Sequence, residues 1–373
     1  MSLGAPAAPS RATDAERRRL NELFAELCAI PSVSGEEAAV SARVVELLHA
    51  AGLTTEVDAA GNVLARVGDP QAPRVLLCAH LDTVPHGDTP IAPVIVDDGW
   101  ENANDAILGA DNKAAVVAML IAAERADSPP FELLFTVREE TALAGAQQFD
   151  VAQLRSPFGY VFDHATPIGE IVMASPTYFR LEAEFRGRAA HAGIRPEDGR
   201  SAIVAAARAI AAMRHGRLDE ETTANIGWIE GGLAGATNIV APRCTLLAET
   251  RSLDPAKAEA VVAEMVDHCH DAANEPLCES DLDVTVERLF EGYRHKPASP
   301  AVAAAERALD ACGYAARHIV SGGASDGNAF EAKGFHTVCL ANGTERNHEP
   351  TERVSVSALE SMLDVTLALL ETL

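Results

Sequence analysis

His80 and Asp82 close the apolar run "VLLCAHLD" and, two residues apart on an extended chain, face the same side. An aspartate so placed can engage one imidazole nitrogen and leave the other free for a metal ion. By itself, a histidine after an apolar run is more often a hydrogen-bonded structural residue. It has company: "FELLFTVREE" ends in Glu139 and Glu140, and "GYVFDH" ends in Asp163 and His164. Asp111 in "LGADNKAA" stands where a helix should begin, and a simple N-cap is the competing explanation. His348 in "NGTERNHEPTERV" follows one more apolar run. Adjacent glutamates on a strand diverge, so one can bind metal while the other stays free as a base. Together, two histidines and three or four carboxylates form a mixed nitrogen and oxygen ligand set. Such a set suits a pair of zinc-like divalent ions roughly 3.5 to 4 Å apart, with one carboxylate bridging.

These residues need elements to bring them together. The runs "VLLCAHLD", "FELLFTVREE" and "GYVFDH" read as strands, separated by a helix over "ADNKAAVVAMLIAAERA" and a short one near 144–154. That alternation specifies an α/β layer with a largely parallel sheet, whose strand ends meet along the edge where such folds bind ligands. Helical periodicity also covers 13–29 and 36–51, the second with Ser34 ahead of Glu36 and Glu37 as a helix start prefers. From about Pro176 the order becomes βαββαβ, a ferredoxin-like unit. After Tyr293 the α/β habit resumes with a helix at 299–312, the strand "HTVCLAN", and a closing helix opened by a Ser357 and Glu360 capping box. The expected organisation is a disordered 1–12, a metal-binding α/β domain over 13–175 and 291–373, and an inserted domain over 176–290.

Composition limits the classes of function. The 373 residues are 48% hydrophobic and 23% charged, enough for two domains with separate cores. A formal charge of −25 repels nucleic acid and anionic membranes, so neither is an expected partner. The seven cysteines are scattered and lack a CxxC, which argues for free thiols and against a structural zinc site. The opening residues do not resemble a secretory signal, and the longest apolar stretch, Ala114 to Ala123, is too short to span a bilayer. A cytoplasmic location follows as the expectation.

In order and over nearly all the chain beyond residue 15, "AHLDTVP", "GADNKAA", "REE", "FDH", "AAHAG" and the late His348 resemble the motifs of one family. It is the co-catalytic di-zinc exopeptidases and amidohydrolases, which include peptidase T, carboxypeptidase G and aminoacylase. "HAGIRPEDGRSAI", "TNIVAP", "ETRSLD" and "SGGASDGNAF" are most similar to the peptidase T-like branch. The resemblance implies an α/β zinc domain with a mixed, largely parallel sheet, interrupted by a ferredoxin-like lid that also serves dimerisation. It implies that His80 and Asp163 hold one ion and Glu140 and His348 the other, with Asp111 bridging; zinc is expected, with cobalt or manganese as substitutes.

Asp82 would orient His80, and Glu139 would be the general base. The family often has an acid where this chain has Asn112, after a peptide bond that is often cis. From the lid, His191 would stabilise the oxyanion, in some relatives across a dimer interface, and Asn238 and Arg251 would contact substrate. A lid that closes would hinge near 175 and 291. The Gly-rich 321–330 lacks the lysine of a phosphate loop and reads as a tight loop beside the substrate, with Gly322, Gly323 and Asp326 on the ligand side. Lys113 reads as a surface or pairing residue. The activity implied is hydrolysis of amide bonds in small peptides, of aminopeptidase or tripeptidase type. An N-acyl amino acid deacylase on the same residues and a non-catalytic metal-binding protein are the alternatives.

Overall fold

The computed structural model describes residues 11–373 and separates into two units, one formed by 11–174 and Arg294–Leu373, the other by Ser175–Tyr293. The expected disorder of 1–12 falls mostly outside the described residues. Ala12, which is described, is buried, and its N–H donates to Asp364 Oδ1 at 2.8 Å.

The first unit is built on a mixed sheet in which Val63–Val67, Phe131–Thr136, Leu76–His80, Gly159–His164, Thr337–Ala341 and Glu170–Ser175 are successive neighbours. Leu76–His80 runs parallel to both Phe131–Thr136 and Gly159–His164, and Thr337–Ala341 runs parallel to Gly159–His164. All five residues of Leu76–His80 are buried, as a parallel strand covered on both faces requires. The helix Ala110–Glu124 is buried from Ala110 to Ala123, consistent with a sequence that is apolar all round. The helix Asp14–Cys28 buries Leu20, Leu23, Phe24 and Leu27, an i, i+3, i+4, i+7 stripe, behind a Thr13 and Glu16 capping box.

Two helix starts differ from expectation. The closing helix Val356–Thr372 is capped by Ser355, whose hydroxyl accepts from Ala358 N, because the strand Arg353–Ser355 runs directly into it. Glu360 instead accepts from Arg17 and Asn21. The helix Ala38–Ala50 has no side-chain cap, since the Ser34 hydroxyl is committed to Asp82. A four-stranded antiparallel sheet that the sequence patterning does not announce joins Thr344–Glu345, Arg353–Ser355, Gly99–Asn102 and Pro93–Val96. Its hairpin turn at Asp97 and Asp98 uses positive φ at both residues, which suits the twist of paired strands.

The second unit is an antiparallel sheet in the order Gly216–Arg217, Thr222–Gly231, Arg243–Ser252, Thr177–Arg186, Asp281–Phe290. The helices Ala202–Ala212 and Pro255–Asn274 pack on it, giving βαββαβ with one extra two-residue strand. Ala202, Ala205, Ala206 and Ala209 form one helix stripe against Leu181, Phe185 and Leu246 of the sheet.

Candidate metal centre

The parallel strands deliver their carboxyl ends to one edge, and there the first unit gathers its ionisable groups. His80, the last residue of its strand, is 1% exposed; its Nε2 lies 3.4 Å from Asp111 Oδ1 and 3.6 Å from Asp163 Oδ1. Its Nδ1 is 3.1 Å from the carbonyl oxygen of Asp82 and 3.4 Å from that residue's Oδ1. Asp82 therefore aims the ring mainly through its backbone.

The Asp82 carboxylate has a second task. Its Oδ1 accepts from Glu139 N at 2.9 Å, and its Oδ2 accepts from Glu140 N at 3.1 Å and Ser34 Oγ at 2.6 Å. The two glutamates lie not on the strand, which ends at Thr136, but in a turn beyond it where Arg138 has φ 54°. Their side chains part because of that turn rather than by strand alternation. Glu140 Oε1 lies 2.8 Å from His348 Nε2, while Glu139 offers an oxygen within 4.8 Å of donor atoms on His80 and Asp163.

Asp111 sits between the two histidines, its Oδ2 3.5 Å from His348 Nε2 and 2.7 Å from Asn347 Nδ2. Asp111 and Asn112 depart from helical geometry within the first turn of Ala110–Glu124, and the bond between them is cis. His348, with φ 67°, lies in the loop joining Thr344–Glu345 to Arg353–Ser355. That hairpin is what carries the late histidine to the strand ends.

Two residues of this architecture carry no legible sign in the sequence. Glu352, 2% exposed, accepts from Leu108 N at 2.9 Å and Gly109 N at 2.8 Å through Oε2, and from Asp111 N at 3.0 Å through Oε1. It holds the turn that presents Asp111. Asn347 anchors the Asp111 carboxylate directly. One glutamate and one asparagine in an acidic, loop-rich stretch look like ordinary surface residues until the fold closes.

The electrostatics call for positive charge. Burial, reinforced by Asp163, pushes the Glu139 carboxyl well above its ordinary range. Burial likewise raises Asp163 to about 7. Burial opposes ionisation of Asp111, yet its bonds to His348 and His80 hold it well below the usual carboxylate range. Asp111 and Glu140 raise His348 to about 10. His80 is raised by Asp163 and its other carboxylate partners although burial alone would lower it. His80 Nε2 and Asp111 Oδ1 are both sealed from solvent with no hydrogen-bond partner among the described residues. Buried donor atoms left unpaired and facing one another at 3.4 Å fit divalent ions, as does a set of imidazoles and carboxylates without thiolates.

Asp326 is 1% exposed and accepts from Thr136 Oγ1 and Cys78 Sγ, and burial raises it to about 6. Lys113 is no surface residue, being 1% exposed with Nζ donating to Ser32 Oγ at 2.7 Å. Gly322 and Gly323 lie in the loop between Arg317–Val320 and the helix Asp326–Ala332, where an added Cβ would meet no crowding. In the second unit, His191 and Asn238 are joined by Ala192 N donating to Asn238 O at 2.9 Å and by a bridge from His191 to Ile239. Arg251 pairs with Glu249 at 3.1 Å and stacks over Tyr178.

Comparison with known proteins places this arrangement. The pattern of the M20 peptidase dimerisation domain matches residues 177–275. The chain is 34% identical to the uncharacterized protein YqjE of Bacillus subtilis over 368 residues, covering 95% of this chain and 98% of that one. It belongs to the M20 peptidase family. Among solved structures, aminopeptidase PepT from Bacillus cereus has a TM-score of 0.84 at 34% identity, and a tripeptidase from Staphylococcus aureus 0.88 at 33%. Each match covers 95% of this chain and 98% of the other. These likenesses place the chain in the peptidase T-like branch and make it a metal-dependent hydrolase of peptide bonds. Among the described residues no helix is long and apolar enough to cross a membrane.

Proposed function

We propose that the protein is an aminopeptidase acting on short peptides, tripeptides foremost. The names of the Bacillus cereus and Staphylococcus aureus relatives support the substrate class. The observation that carries the mechanism is Asp111 set between His80 and His348, with Glu139 held beside them through its backbone bond to Asp82.

In this reading His80 and Asp163 would hold one divalent ion and Glu140 and His348 the other, with Asp111 shared between them. Zinc suits the donor set, with cobalt and manganese as substitutes. Bound there, the pair supplies Lewis acidity to water and to the scissile carbonyl. Glu139 takes a proton from the attacking water and returns it to the departing amine as the C–N bond breaks. Its raised proton affinity and its fixed backbone suit both transfers. Asp82 keeps His80 and the Glu139–Glu140 turn in register. For the oxyanion role of His191 and the substrate contacts of Asn238 and Arg251, the support is sequence resemblance.

A homodimer built through the second unit agrees with the dimerisation-domain match and with the exposed Ile203, Val204, Trp228, Ile229 and Leu233. Seven free cysteines favour a cytoplasmic location.

The test is Glu139→Gln. The variant should keep its full metal content while kcat falls by about 10²- to 10⁴-fold; normal turnover would remove Glu139 from the base role. A panel of di- and tripeptides against N-acetyl amino acids decides the substrate: preferential cleavage of the acyl compounds would overturn the peptidase specificity.

A further inference from the structure

A second cluster of metal-ligating side chains lies in the first unit, at the opposite end of the parallel strands. His336 immediately precedes the strand Thr337–Ala341, so it sits about 15 Å of strand away from the carboxyl ends that carry the centre described above. Glu331, in the last turn of Asp326–Ala332, and His295, just after Tyr293–Arg294, complete it. Each of the three offers a donor atom, and these atoms all lie within 4.8 Å of one another.

We propose that His295, Glu331 and His336 form a binding site for a zinc-like divalent ion that is separate from the catalytic centre. The arrangement is organised around one residue. Thr337 N donates to Glu331 Oε1 at 2.7 Å, the His295 ring bonds the Thr337 backbone, and His336 is its chain neighbour. His336 Nδ1 lies 2.8 Å from the same Glu331 oxygen, so this nitrogen and the carboxylate already face each other, and an ion held by both would replace the proton they share.

The two imidazole rings stand nearly perpendicular, at 89°, with centroids 4.9 Å apart. Two imidazoles on one tetrahedral ion, with metal–nitrogen bonds of about 2.0 to 2.1 Å, have centroids about 5 Å apart. Two imidazoles and one carboxylate suit zinc or cobalt rather than calcium or magnesium, which prefer all-oxygen sets. Three protein ligands leave a fourth position for water. Glu331 and the exposed part of His336 border solvent, so an ion can enter, while His295 is buried. An ion here would tie the segment beginning at Arg294 to the turn between the helix Asp326–Ala332 and the strand Thr337–Ala341, bracing that strand from its amino-terminal end.

The experiment counts ions. Full-length protein is stripped with a chelator and dialysed against increasing free zinc, and bound metal per chain is measured by elemental analysis. The unaltered chain should saturate at one equivalent more than His336→Ala, and Glu331→Gln should show the same loss. Both variants should keep kcat/KM unchanged at saturating zinc. A difference of one equivalent is diagnostic whatever number of ions the catalytic centre holds. If His336→Ala fails to fold, Glu331→Gln, which preserves shape, decides alone. Equal saturation of the parent and the folded variants would overturn the proposal and leave His336 and Glu331 as an ion pair.

Discussion

Asp82→Asn isolates what a single buried carboxylate contributes to this centre. The side chain is fully buried and accepts from Glu139 N, Glu140 N and Ser34 Oγ, with His80 Nδ1 nearby. An asparagine keeps one acceptor oxygen and turns a donor toward either Glu139 N or Glu140 N. One buried N–H then loses its partner, at a cost of about 1 to 3 kcal/mol. A second route gives a similar size. Burial opposes ionisation of Asp82, but His80, Ser34 and the Glu139 N–H hold its pKa at about 2, against an ordinary 3.8. That gap corresponds to about 2 kcal/mol in favour of the folded state once the carboxylate is ionised.

The sign follows from a folded pKa below the unfolded one. The contribution is complete above about pH 4 and is lost as pH falls through 2. Urea unfolding of metal-free protein should therefore show Asp82→Asn less stable by about 2 to 3 kcal/mol at pH 7, with the difference shrinking below pH 4. In the metal-loaded enzyme the loosened Glu139–Glu140 turn should weaken metal affinity or activity by about 10- to 100-fold. Stability within about 0.5 kcal/mol of the parent at pH 7, an amount typical of neutral surface changes, would refute the assigned hydrogen-bond role.

Three further perturbations are open to measurement. Glu352→Ala removes the acceptor for three backbone N–H groups and should lower metal affinity by about 10- to 100-fold in chelator competition, although Glu352 touches no metal position. His348→Ala should lower the bound metal content of the purified protein; an unchanged content would take His348 off the ligand set. Glu16→Gln should cost about 1 kcal/mol at neutral pH, a figure reduced for partial exposure of the Arg125 pair. Because Arg125 holds Glu16 at about 2, below its ordinary 4.5, that deficit should persist down to about pH 4.5 and fade toward pH 2 in denaturant titrations.

Much of the centre can be read from linear sequence because its pieces are short and local. Apolar runs that end in His80 and Asp163, a helix start at Asp111 and the Glu139–Glu140 pair are all visible, since a strand end projects its last side chains from a predictable place. Asp326, read from the sequence as following a tight loop on the ligand side, is buried at the start of the helix Asp326–Ala332, where it accepts from Thr136 and Cys78. Ser357 and Glu360 matched a capping pattern, but the preceding strand fixed the helix start two residues earlier. Of the two readings of Lys113, surface or pairing, the fold gives the second, with the ammonium buried on Ser32.

Sequence by itself determined the alternation that makes a parallel sheet, the inserted βαββαβ unit and the kinds of donor gathered at the strand ends. These follow from periodicity and residue chemistry, which are local. Tertiary structure decided which donors share a space: that Asp111 stands between His80 and His348, that Glu352 grips the turn presenting Asp111, and that His295 meets His336 at the far end of a strand. Those pairings join residues some 30 to 240 positions apart in the chain. They depend on the direction and depth of buried side chains, which packing and hydrogen-bond satisfaction settle only once the whole unit has closed.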